Sequence, residues 1–194
     1  MAEGLFRNES PVEYFKELVE SAIAHQKLTA GEMTSFYLVN LLTGYVYQDR
    51  TSTEMDKGLG ITLAKALQAG GSVQRDGLRR VGDASLFISG YFGDSLSHSL
   101  VDIDYYIALG ERAYASLARQ SDDAFSDVFD ELAEKFSGFV DVLGEVSEHA
   151  ALTSNTDLLR LYERWPKTRS RRRADLLARQ GIVPNASVNT RFVQ

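Results

Sequence analysis

The fold is decided by one stretch: Arg79-Arg80-Val81-Gly82-Asp83-Ala84-Ser85-Leu86-Phe87-Ile88-Ser89-Gly90-Tyr91-Phe92-Gly93. No charge falls between Ala84 and Gly93. At helical spacing Val81, Ser85, Ile88 and Phe92 share one face, and Gly82, Ser85, Ser89 and Gly93 form a stripe of small residues beside it. Such a stripe lets a neighbouring helix, or a ligand, approach the backbone closely. Asp83 follows Arg79 and Arg80 by four and three residues, within reach of an intrahelical ion pair. The segment 73–93 reads as a buried central helix.

Outward from it, helical signals recur along the chain. Ser10-Pro11-Val12-Glu13 is a capping box with proline at the first helical position. Thr29 to Glu32 and Thr51 to Glu54 repeat the pattern, and Ser99 to Asp102 opens a further helix. Gly58 and Gly60 read as lying inside the helix that carries Leu59, Leu63 and Leu67, which stops at Gly70-Gly71. Phe125, Leu132, Phe139 and Val146 recur every seven residues, as do Phe129, Phe136, Leu143 and Ala150. Phenylalanine at half of these positions suits a long helix packed among several others better than a two-stranded seam. The spacing predicts one amphipathic helix over 122–149 with a strongly acidic outer face. A seventh helix carries Leu158 to Trp165, and a short eighth ends at Gly181. The expectation is an all-α bundle of seven or eight helices forming a single domain over 1–184, with a tail at 185–194.

Composition narrows the classes of function. There is no cysteine among the 194 residues, which removes disulfides, thiolate metal sites and cysteine nucleophiles and fits a reducing cytoplasm. The N-terminus carries no basic stretch followed by an apolar run, so no signal peptide is expected, and the most apolar window, 36–46, is too short to span a bilayer. Net charge is −6. Between Arg160 and Arg179, eight basic residues oppose two acidic ones, so that segment carries +6 and the remainder −12. The overall acidity argues against a general nucleic-acid binder, and specific recognition would bring interleaved aromatics or a known motif, whereas the run Lys167, Arg169, Arg171, Arg172, Arg173 offers a patch for acidic protein surface. The helix macrodipole disfavours cations near a helix start, so local stability does not explain the run. Three readings compete: a solvated face, an internal match to the acidic helix of the same chain, and a docking patch for an acidic partner.

Catalytic constellations are incomplete. The histidines are His25, His98 and His149, and no Glu-x-x-His pair repeats on two helices as in a di-iron bundle. Glu145 and His149, one turn apart, are the weak candidates for a metal, and no cofactor is expected. The serines around His98 lack the elbow of a hydrolase. Gly58-Leu59-Gly60 and Gly70-Gly71-Ser72 match no phosphate-binding fingerprint. The remaining feature is a set of polar residues on or beside apolar faces. Asp83 pairs structurally with Arg79 or Arg80, or it lines a ligand pocket with Ser89, Tyr37, Asn40 and Tyr106; Tyr105 belongs to the same polar set.

At Val81 to Gly90, and again at Leu161-Tyr162-Glu163-Arg164-Trp165, the sequence resembles a bacterial all-helical family of unknown function. The resemblance implies a bacterial cytoplasmic setting and brings no catalytic residues. From the sequence, the leading expectation is a non-catalytic macromolecular interaction protein, self-associating as a homodimer or docking on a partner. The alternative is a helical-bundle enzyme or sensor with a site near Asp83 and Ser89 or near Glu145 and His149.

Overall fold

A computed structural model describes residues 10–47, 58–93, 102–120 and 125–152, without the side chains of residues 46, 47, 151 and 152. Seven helices run through these residues, and no strand occurs among them. They are α1 (Pro11–His25), α2 (Glu32–Tyr47), α3 (Leu59–Gln68), α4 (Gly71–Tyr91), α5 (Ile103–Ala118), α6 (Ser126–Glu134) and α7 (Phe136–Leu152). The chain divides into a unit of residues 1–147 and a second of 148–194, of which only 148–152 are described. No helix among the described residues is long and apolar enough to cross a membrane. The capping box at Thr51, the segment around His98 and Ser99, the two helices expected after Thr153, the basic run and the tail all lie outside the described residues.

The start of α1 follows its sequence directly. Glu13 N–H donates to Ser10 Oγ, and Ser10 N–H donates back to Glu13 Oε2 at 3.0 Å. The Ser10 backbone bond, then the Ser10 hydroxyl, hold the Glu13 carboxyl below its ordinary range. Phe15, Val19 and Ala22 are the buried face. The helix closes with Leu28 N–H on Ile23 O and Lys27 N–H on Ala24 O, a Schellman pattern. Lys27, at φ 53, occupies the left-handed position that usually takes glycine.

Leu78, Val81, Ala84, Leu86, Phe87 and Ile88 on α4 are almost wholly excluded from solvent. The expected buried central helix is therefore present, flanked by α3 and α5. Its small residues are contact points. A Cβ on Gly82 would lie 2.5 Å from Tyr114 Cε1, and one on Gly90 would lie 2.5 Å from Leu143 Cβ. On α5, a Cβ on Gly110 would lie 2.1 Å from Phe136 Cζ and 3.0 Å from Ser85 Cβ. The stripe thus admits neighbouring helices.

The segment expected as one helix over 122–149 is two helices, α6 and α7, meeting at Lys135. Lys135 leaves helical geometry at φ −109, ψ 23. The hydrogen-bond ladder nevertheless continues across it, with Lys135 N–H on Glu131 O and Phe139 N–H on Lys135 O, both at 3.0 Å. The apolar seam faces inward on both sides of Lys135. Phe129, Leu132, Phe136, Phe139, Leu143 and Val146 are all buried, while Phe125, the first position of the heptad pattern, is 43% exposed. Gly58 is also placed differently from expectation. It precedes α3 at φ 66 and sets the entry to the helix rather than interrupting it.

Candidate functional site

The polar centre of the molecule is built by three helices. Asp83 and Arg79 lie one turn apart on α4, Tyr37 comes from α2, and Tyr114 from α5. The Tyr37 hydroxyl donates to Asp83 Oδ1 at 2.5 Å and the Tyr114 hydroxyl donates to the same oxygen at 2.8 Å. Arg79 Nε is 3.7 Å from Asp83 Oδ2 and donates to the Tyr37 oxygen at 3.1 Å. The guanidinium also lies over the Tyr37 ring, 5.3 Å from its centroid. Phe129 forms the wall, edge-on to Tyr37 and stacked on Tyr114.

Burial makes this arrangement electrostatically sharp. Tyr114 is fully buried and Tyr37 nearly so, whereas the Arg79 side chain reaches solvent. Burial first, and the Asp83 charge second, push both phenols well above the ordinary tyrosine pKa. For Arg79, burial opposes the cation, but Tyr37 and Asp83 outweigh it and raise its pKa. Both phenols therefore remain protonated donors to a carboxylate that a cation flanks. This is the structural ion pair of the two sequence readings, made with Arg79 and extended by two tyrosines.

Of the residues predicted to line a pocket, only Tyr37 and Asp83 come together. Ser89 turns back on its own helix, its hydroxyl donating to Ser85 O at 2.7 Å. Asn40 does the same on α2, its amide donating to Phe36 O at 2.8 Å on the exposed side. Tyr106 is half-buried with its ring edge-on to Tyr105, and Tyr105 itself is exposed. Each short polar side chain has a backbone acceptor one turn away, which a helix always offers. Tyr114 is the member that sequence reasoning does not single out. The available signal was a phenol on a face otherwise of Ala113 and Leu117, since a buried tyrosine hydroxyl needs an acceptor.

A second carboxylate holds the start of α2. Glu131 of α6 accepts the Gly31 N–H at 3.0 Å and the Thr34 hydroxyl at 2.5 Å. Lys135 donates to Glu131 Oε1 at 2.8 Å and to Thr29 O at 2.7 Å. Burial works to raise the Glu131 pKa, but hydrogen bonds from Lys135, Thr34 and Gly31 prevail and hold it below the ordinary value. The capping box expected from Thr29 and Glu32 is thus supplied instead by a helix a hundred residues away.

Glu145 of α7, a weak metal candidate, is buried and engaged by α1. His25 Nδ1 lies 3.0 Å from both of its carboxylate oxygens, and Gln26 Nε2 donates to Oε2 at 2.7 Å. His149 is half-buried at the far end of α7. Among the described residues no three His, Asp or Glu side chains gather as a metal would require. An open cleft of about 420 Å³ lies elsewhere, lined by Gly71, Ser72, Gln74 and Arg75 at the start of α4 and by Gln120 after α5. The predicted patch of Lys167, Arg169, Arg171, Arg172 and Arg173 lies outside the described residues. On the acidic face, Asp127, Asp130, Glu134 and Asp141 are exposed as expected, while Glu131 turns inward to α2.

Comparison of the chain with protein-family models, with curated proteins and with solved structures gave no match.

Proposed function

We propose that this chain is a non-catalytic helical protein of the bacterial cytoplasm that acts by binding another macromolecule, either a second copy of itself or a partner with acidic surface. The observation that supports the reading is the outer side of α2. From Met33 to Tyr47 the helix carries no charge, and large apolar side chains lie on its outer side as well as its buried one. Here Met33 is 47% and Phe36 58% exposed, next to the exposed Asn40. A helix with such a surface gains by being covered. The basic run from Lys167 to Arg173 supplies the complementary charge toward acidic surface.

Size-exclusion chromatography with light scattering tests the reading, run on the parent and on Phe36→Asp. A parent dimer that Phe36→Asp converts to a folded monomer is the expected result. A parent monomer that captures no acidic protein at low salt, with Arg171, Arg172 and Arg173 intact, overturns it.

A further inference from the structure

We draw no further inference here: the strongest candidate, the uncharged outer face of α2 around Met33 and Phe36, belongs to the reading already proposed, and nothing in the structure shows what covers it.

Discussion

Asp83 and Glu131 are the same device built with different donors. Each is a carboxylate with a cation four residues away, Arg79 before Asp83 and Lys135 after Glu131. Each accepts a hydroxyl from α2, Tyr37 in one case and Thr34 in the other, three residues apart. They differ in what surrounds the donors. Around Asp83 the donors are phenols removed from water, with Phe129 across them. Around Glu131 they are the buried Thr34 hydroxyl and a backbone N–H of the exposed Gly31, where solvent replaces a lost bond. A missing acceptor strands a buried donor at full desolvation cost, whereas at an exposed one water takes its place. Equal geometry therefore gives unequal stability, and the following measurements grade the difference.

The largest effect is expected for Asp83→Ala. It leaves the Tyr114 hydroxyl without its acceptor in the core and Tyr37 with only Arg79, at a cost of about 3 kcal/mol in denaturant unfolding. Tyr114→Phe removes one donor and its need together and should cost about 1 kcal/mol. If Asp83→Ala loses no more than Tyr114→Phe, the phenols are not stranded by loss of their acceptor and the comparison fails.

The next two effects are read from pH. The folded state holds the phenolic protons of Tyr37 and Tyr114 more tightly than the unfolded chain does. Their contribution is thus complete below the ordinary tyrosine pKa of about 10 and is lost as pH rises beyond it. Stability should fall steeply on the alkaline side, less so in Tyr114→Phe; identical slopes would remove the Tyr114 share. Glu131 has the opposite sign. Its folded pKa lies below the ordinary 4.5, so its contribution is present above that value and is lost as pH falls through the lower one. Glu131→Gln should flatten that acid limb and cost less than about 1 kcal/mol at neutral pH, as for other partly exposed pairs. A neutral-pH loss matching that of Asp83→Ala would erase the distinction between phenol and backbone donors.

The smallest expected change is a gain. The Ser85 hydroxyl is fully buried and has no hydrogen-bond partner. Ser85→Ala removes a desolvated group and adds a better helix former, and should raise stability by up to about 1 kcal/mol. A thermal melt that falls instead would show that the hydroxyl contributes to the packing of α4 on α5.

Local and distant causes divide what the sequence disclosed. Ser10 and Glu13 are three residues apart, and the start of α1 is set by those residues alone. The seam from Phe129 to Val146 was readable because burial follows helical period, although the break at Lys135 was not, because the apolar spacing runs through it unchanged. The pairing of Asp83 with Arg79 was legible because both lie on one turn. Tyr114 on Asp83 and Glu131 on α2 were not, because each depends on which helix becomes a neighbour. Ser89 and Asn40 misled for the converse reason. Composition marked them as polar groups on apolar faces, while the carbonyl one turn behind already satisfied them.

The bonds from Glu131 to Gly31 and from Glu145 to Gln26 have a consequence in time. They join residues separated by 100 and 119 positions. A ribosome adding roughly 5–20 residues per second needs about 5–20 s to cover that distance. During that interval α1 and α2 have emerged while the side chains that fasten their connecting turn have not yet been made. The α1–α2 hairpin is thus among the last parts of the molecule to be completed, although it is made before the helices that fasten it.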